Sequence, residues 1–387
     1  MSDRPSLPEA TLLPRLFRPL DLRGVRLRNR VVISPMCQHA AGPGGVMADW
    51  HLVHLGKFAL GGAALVFTES TAVSPQGRIG VRDIGLWADH QIEPLRRVAS
   101  FVREQGAAFG VQLAHAGRKA GSAALWEGGA PLSQDELDAD SRGIWERLGP
   151  SAISAGPGWT VPKALSIEEI ARIVQQFVMA AERALAASVD VLELHYGHGY
   201  LVTSFLSPIS NRRDDAYGGD REGRMRLAVQ IAHAVRQAWP ANKPLFCRLS
   251  VVDGAENGWG LEDSIVLSSR LKAVGVDVID CSSGGLTDGT IAASVPRGPG
   301  FQVPFAARIR REAQIATQAV GMIWDARQAE AILADDSADL VAIGREALFD
   351  PYWAHHAAQT LGLDTKFSAW PPRHGAWLAR RQPLIDQ

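Results

Sequence analysis

Apolar and polar positions repeat in one order along this chain: a short apolar run, a loop marked by glycine or proline, then a longer stretch with apolar residues at helical spacing. The short runs are "RVVISPM" from Arg30, "ALVFTES" from Ala64, "FGVQLAH" from Phe109 and "DVLELHYG" from Asp190. Four more follow: "LFCRLS" from Leu245, "DVIDCSSGG" from Asp277, "AVGMI" from Ala319 and "DLVAIGR" from Asp339. Their near-continuous apolar character predicts strands of a parallel sheet buried on both faces. "SIEEIARIVQQFVMAAERALAA" and "REGRMRLAVQIAHAVRQAW" carry the helical period, and Ser166 with Glu169 three residues on makes a capping-box start. Eight strand–helix units in series is the number that closes a (β/α)8 TIM barrel, so we expect a single α/β domain over residues 1–387. The segment 126–162 reads as an excursion between strands three and four, and 362–387 as a C-terminal tail. No dinucleotide fingerprint supports an open sheet instead; "GPGG" at Gly42 opens no obvious phosphate turn.

In a parallel barrel the ligand site lies at the carboxyl ends of the strands. Polar residues and glycines collect there. The first strand ends in Ser34, Pro35, Met36 and Cys37, the second in Glu69 and Ser70, the third in Gln112 and His115. The fourth ends in His195 and His198, the fifth holds Arg248, and the sixth runs into Ser282, Ser283, Gly284 and Gly285. Gly321 and Met322 end the seventh, Gly344 and Arg345 the eighth. One such residue is ordinarily a hydrogen-bonded core group; eight strands ending this way point to a site. Alternation puts Glu193 and His195 on one face and Leu192 and Leu194 on the other, and groups Phe246, Arg248 and Ser250. Arg248 then faces the barrel interior, where a guanidinium needs an anionic or electron-rich partner. The glycines of strands seven and eight let backbone amides approach an anion, and Arg345 adds a fork suited to phosphate. A phosphate cradle beside a His/Gln/Arg set suits a phosphorylated cofactor lying across the mouth.

"LELHYGHGYL" places His195, His198 and Tyr200 within six residues. Catalytic zinc needs about three protein ligands and helical sites favour i,i+4 histidines; here the spacing is i,i+3 at a strand end, with no HExxH. Glycines flanking His198 mark a loop, which disfavours a buried core role. Two imidazole donors aimed at a substrate oxygen, with Tyr200 as a nearby acid, fit best.

Composition narrows the function further. Hydrophobic residues at 46% and charged residues at 21% supply a sizeable core, and a net charge of -1 with scattered Lys and Arg argues against nucleic-acid or anionic-membrane partners. The three cysteines (Cys37, Cys247, Cys281) form neither a disulfide framework nor a CxxC pair, which favours a reducing compartment. The first residues lack a signal peptide's apolar stretch, and "LVHLGKFALGGAALVF" is broken by Lys57 and a glycine pair. A cytoplasmic protein is expected.

"SPMC", "QLAHAGRKA", "HYGHGYL…FLSPISNRRDDAYGG", "CRLS", "DCSSGG", "GPGFQVPFA" and "IGREALFDP" occur in series from about Leu16 to the tail. Together they resemble the Old Yellow Enzyme family of FMN-dependent ene-reductases, in its thermophilic-like, xenobiotic-reductase subgroup. The resemblance implies non-covalent FMN, lined by Ser34, Pro35, Met36 and Cys37, with Cys37 tuning it and touching bound ligands. It implies Ser70 and Gln112 on the ring, Arg248 by the N1/O2 edge, and Gly344 and Arg345 on the phosphate beside Gly321 and Met322. His195 and His198 would bind the substrate's activating oxygen and Tyr200 would donate the proton. NADPH or NADH would reduce the flavin in a ping-pong cycle, and an α,β-unsaturated carbonyl or nitro compound would accept the hydride. Arg118 and Lys119 are charges near the same mouth with no role assigned.

The chain departs from the family pattern in places. His39 stands where relatives carry a ligand-touching Tyr, Gly223 where they carry Asn, and Thr203 and Ser204 where the subgroup has bulkier polar residues. The tail element "HGAWLARR" resembles one that enters a neighbouring subunit's active site, making Trp377, with Arg380 or Arg381, the substrate-contacting finger of a homodimer or of a homotetramer built from dimers. The alternative is that Trp377 packs on its own barrel. Two competing functions are a metal-dependent barrel hydrolase using His51, His54, His115, His195 and His198, and a flavin-binding protein that has lost its activity.

Overall fold

The computed structural model describes residues 13–141, 145–286 and 295–385. Eight parallel strands close into a barrel in chain order: β1 Val31–Ile33, β2 Leu65–Ala72, β3 Ala108–Ala114, β4 Val191–Tyr196, β5 Leu245–Ser250, β6 Val278–Ser282, β7 Ala316–Val320 and β8 Leu340–Ile343. A barrel helix follows each strand: α1 Asp49–Leu60, α2 Ile92–Glu104, α3 Ile167–Ala186, α4 Arg221–Ala238, α5 Leu261–Ala273, α6 Val303–Ala313, α7 Ala326–Ala334 and α8 Trp353–Thr360, with short helices Leu201–Leu206 before α4 and Arg345–Phe349 before α8. The expected (β/α)8 barrel is therefore the fold. The capping box of α3 forms as expected, Glu169 N–H donating to Ser166 Oγ at 3.2 Å and Ser166 N–H to Glu169 Oε2 at 2.9 Å.

Strand alternation divides the interior from the outer core. Leu192, Leu194, Cys247 and Leu249 pack outward among the helices. Val32, Leu65, Phe67, Val191, Phe246, Val278, Leu340 and Ala342 point inward and fill the lower half of the barrel. Below them lies an element that has no pattern long enough to read in the sequence, a hairpin of Leu20–Leu22 and Val25–Leu27. Leu20, Leu22, Val25 and Leu27 pack on the inward residues and close the floor. The hairpin turn is pinned: Gly24 N–H donates to Asn242 O at 2.8 Å, and Arg23 Nε grips Asp277 at 2.7 and 2.8 Å.

Strand seven corrects the sequence reading, which placed it over 319–323; it runs over Ala316–Val320. Gly321 and Met322 hold φ of +118° and +52°, so the chain turns where extension was expected. Inward Gln318 and buried Thr317 hid the true strand by breaking its apolar run.

The excursion carries a helix, Gln134–Ser141, and a two-residue strand pair, Leu148–Gly149 with Lys163–Ala164. Buried Arg147 ties it to the loop after β3 through Ala120 O at 2.7 Å and Gly121 O at 3.0 Å. The tail is anchored by Trp370, stacked on His355 at 4.7 Å and Tyr352 at 5.2 Å, and continues as helix α9, Pro372–Ile385. Among the described residues no helix is long and apolar enough to cross a membrane.

Candidate active site

Above the apolar half of the barrel sits a polar layer set by strand register. Ser70 pairs with Gln112, Gln112 with Glu193, His195 with Arg248, Arg248 with Asp280, and Asp280 with Gln318. Gln112 Nε2 donates to Glu193 Oε1 at 2.8 Å, and Arg248 Nη1 donates to Ser34 Oγ at 3.0 Å. Arg248 Nε lies 3.3 Å from Asp280 Oδ2, which supplies the inward guanidinium with the anionic partner its burial demands. Burial raises the Glu193 carboxyl, and the Asp280 charge adds to that; burial raises Asp280 as well, with Arg248 opposing it. Asp280 was visible to strand parity, since it shares a face with Ser282, but the sequence reading passed over it.

His195, His198 and Tyr200 come together where β4 ends. The two imidazoles meet edge to face with centroids 5.1 Å apart, and Tyr200 lies edge-on to His195 at 5.1 Å. His198 holds φ +60°, a left-handed conformation costly for a residue with a Cβ. Several contacts impose it. Its N–H donates to Ser250 Oγ at 2.8 Å, and its carbonyl accepts from Lys119 Nζ at 3.3 Å. Lys119 Nζ also donates to Gly285 O at 2.9 Å, and Arg118 Nη2 to Leu286 O at 2.8 Å. Of the two charges left without a role, Lys119 thus clamps the loops after β4 and β6 together, and Arg118 ties the β6 loop to the excursion through Ser154 O at 3.0 Å. Burial lowers His195 far below the usual imidazole range, and burial with the Arg248 and Lys119 charges lowers His198 to about 3. Both rings are neutral. Burial, together with the Cys37 and Asp83 groups, lifts the Tyr200 phenol well above its usual value, so it keeps its proton.

Cys37 sits on a loop fixed from below by Glu69. Gln38 N–H donates to Glu69 Oε2, and His51 Nε2 lies 2.9 Å from Oε1. His51 Nδ1 accepts from Ala48 N–H at 3.0 Å, so the His51 proton is on Nε2, facing Glu69. Burial, then Asp83 and Glu69, raises the Cys37 thiol well above its ordinary value and keeps it protonated. His39, with φ +48°, turns its Nδ1 to within 2.6 Å of Asp83 Oδ1 and places its ring 5.8 Å from Trp126. Burial pulls the imidazole down, but Asp83 and Glu69 outweigh it and leave its pKa raised. Asp83 carries no sequence signal; only the fold brings it to His39.

On the other side of the mouth a cavity of about 550 Å³ is lined by Ser34, Pro35, Met36, Arg248, Ser282, Gly321, Met322, Gly344 and Arg345, all but Ser282 predicted as cofactor ligands. Arg297, Phe301, Gln302, Trp324 and Glu346 also line it and were not anticipated, with Val320, Ile323 and Ala342 between them. A methyl on Gly344 would meet nothing nearer than Ser34 Cβ at 4.0 Å, so the space over that backbone is open. An arginine, glycine backbone and open space at a strand end fit a phosphate, and the adjoining Ser34–Arg248–Gln112 layer fits the polar edge of a flavin. Ser70, Gln112, Cys37, His195, His198 and Tyr200 are not among its lining residues, but His195 pairs in register with the lining Arg248 and His198 Nε2 lies 2.8 Å from the lining Ser282 Oγ. Trp377 is not brought there by its own chain; it is 71% exposed on α9, with Arg380 over its ring at 5.4 Å.

The five histidines of the hydrolase reading do not assemble. His51 pairs with Glu69, His54 packs between Trp50 and Phe58, and His115 Nδ1 accepts from Gly117 N–H at 3.0 Å. Among the described residues no three His, Cys, Asp or Glu side chains gather to hold a metal ion.

The chain matches known proteins over most of its length. Residues 15–364 match the NADH:flavin oxidoreductase / NADH oxidase family, and the chain belongs to that family. An NADPH dehydrogenase of Geobacillus sp. (strain WCH70) is 43% identical over 90% of this chain and 94% of its own length. An NADPH dehydrogenase of Bacillus subtilis (strain 168) is 41% identical over 90% of this chain and 96% of its own. Among solved structures, morphinone reductase superposes with a TM-score of 0.75 at 26% identity, covering 94% of this chain and 93% of that one. The protein is thus an FMN-dependent NAD(P)H oxidoreductase of the Old Yellow Enzyme type, as the sequence motifs implied.

Proposed function

We propose that the enzyme reduces the C=C bond of α,β-unsaturated carbonyl or nitro compounds. The observation that carries this is the convergence of two neutral imidazoles and a protonated phenol beside the cavity that fits the flavin. Ser34, Pro35, Met36, Cys37, Ser70, Gln112 and Arg248 would hold the isoalloxazine, and Gly321, Met322, Gly344 and Arg345 the ribityl phosphate. Bound there, FMN supplies the hydride that originates in NADPH or NADH.

This chain's own residues then do the rest. His195 and His198 bind the activating oxygen and draw charge toward it, which makes the β-carbon electrophilic. Tyr200, which keeps its phenolic proton, gives it to the α-carbon. Arg248, fixed by Ser34 and Asp280, places positive charge at the polar edge of the cavity. His39 and the protonated Cys37 border the acceptor. Three free thiols support a cytoplasmic location. The exposure of Trp377 supports its seating in a second copy of the chain rather than on its own barrel.

The test is direct. The purified protein should be yellow, release FMN on denaturation, bleach anaerobically with NADPH and regain colour on addition of 2-cyclohexenone. A colourless protein, or a reduced one that only oxygen reoxidises among a panel of activated alkenes, would sink the proposal.

A further inference from the structure

The contacts around His198 assign a task to a serine outside the His/His/Tyr set. Each imidazole is neutral and carries a single ring proton. His195 Nδ1 accepts from Gly197 N–H at 3.2 Å, so the His195 proton is on Nε2. That nitrogen faces His198 Nδ1 at 3.3 Å. The other His198 nitrogen, Nε2, lies 2.8 Å from Ser282 Oγ. One arrangement satisfies all of these atoms at once: His195 Nε2–H donates to His198 Nδ1, and His198 Nε2–H donates to Ser282 Oγ.

An oxygen held by both rings requires a different arrangement. It needs protons on His195 Nε2 and on His198 Nδ1, the two nitrogens that face each other. A neutral His198 has one proton, so Nε2 must lose its own and become an acceptor. The described partner of Nε2 is Ser282, and a hydroxyl can turn from acceptor to donor without moving its oxygen. Ser282 stands in register with Ser250, which holds the His198 backbone N–H, so one serine fixes the backbone while the other addresses the ring.

We propose that Ser282 is a positioning residue that sets the tautomer of His198: it accepts from Nε2–H while the pair is closed on itself, and donates to Nε2 when an oxygen occupies the pair. The proton count does not change. One proton leaves Nε2, one arrives at Nδ1, and no bond to the ligand forms or breaks. The oxygen site exists in full only when Ser282 donates. This rests on the reading of His195 and His198 as the oxygen-binding pair.

The experiment uses FMN-loaded protein labelled with ¹⁵N in its histidine rings, with 4-hydroxybenzaldehyde as an oxygen-bearing probe whose binding is followed by the flavin absorbance. The His198 ring signals, assigned by difference from His198→Gln, should show Nε2 protonated without the probe and Nδ1 protonated with it. Ser282→Ala, compared per flavin-loaded site, should bind the probe about tenfold more weakly, the value of roughly one lost hydrogen bond. Ser282→Thr, which keeps the hydroxyl, should restore affinity. If His195→Gln and His198→Gln weaken the probe while Ser282→Ala does not, the role of Ser282 is wrong and the function stands. The same holds if Nδ1 is protonated in both states. If neither histidine variant weakens the probe, the oxygen-binding reading fails and this inference with it.

Discussion

The Cβ that Gly285 lacks would fall 2.6 Å from the Cα of His198, so the loops after β6 and β4 touch backbone to backbone. Gly285 also holds φ +83°, a region that penalises any side chain. Gly285→Ala should therefore cost about 2–4 kcal/mol in unfolding free energy and weaken acceptor binding by displacing His198. Gly298→Ala, where the added methyl meets nothing within 4 Å, is the matched control. Equal denaturant midpoints for the two variants would refute the close-contact argument.

Tyr200→Phe removes the phenolic proton and leaves the ring edge against His195. Stopped-flow measurement should show reduction by NADPH nearly unchanged and reoxidation by an activated alkene slowed by about 10²-fold or more. Equal slowing of both halves would mean that Tyr200 is not the acid.

The His39–Asp83 pair makes stability depend on pH in a defined direction. The folded pKa of His39 is raised above its ordinary 6.5. Its contribution is therefore fully present below the unfolded value and is lost as pH rises through the folded one. The Tm difference between the wild type and His39→Asn should be largest below pH 6.5 and shrink above it. A gap that widens with pH would contradict the assignment.

Glu69 accepts from Gln38 N–H and His51 Nε2 while buried at 3% exposure. Glu69→Gln turns one acceptor oxygen into a donor against a donor. The expected loss is about 1–3 kcal/mol, with faster alkylation of Cys37 as its loop loosens. Urea unfolding and thiol labelling check the two parts separately.

Trp377 supplies the test of assembly. Deleting the residues after Pro372 removes an exposed indole and little of this barrel's own core. Sedimentation should show a weaker dimer, and the acceptor KM should rise with it. Unchanged assembly and kinetics would remove the neighbouring-subunit role.

Much of the barrel was legible because its information is local. Each strand carries its own apolar run and each helix its own period, as in "VLELHY" or the Ser166–Glu169 box. Residues at strand ends were legible for the same reason, since one topology places all such ends at one mouth. The floor hairpin escaped because three-residue strands hold no periodicity. Strand seven slipped because Thr317 and Gln318 interrupt the pattern that Gly321 and Met322 were taken to continue. The partners that give the site its electrostatics were less legible still. Asp83 beside His39, Asp280 beside Arg248 and Ser282 beside His198 are separated in sequence by whole strand–helix units, and only the folded packing of neighbouring strands and loops brings them together.

The hairpin beneath the strands has a kinetic meaning. Among the described residues, Leu20, Leu22, Val25 and Leu27 close the base of the barrel, so a small molecule would reach the polar layer from the carboxyl-end rim. In the proposed cycle reductant and acceptor would share that rim, and each would vacate it before the other enters. Crowding by either one should therefore slow the cycle by holding that rim against its counterpart.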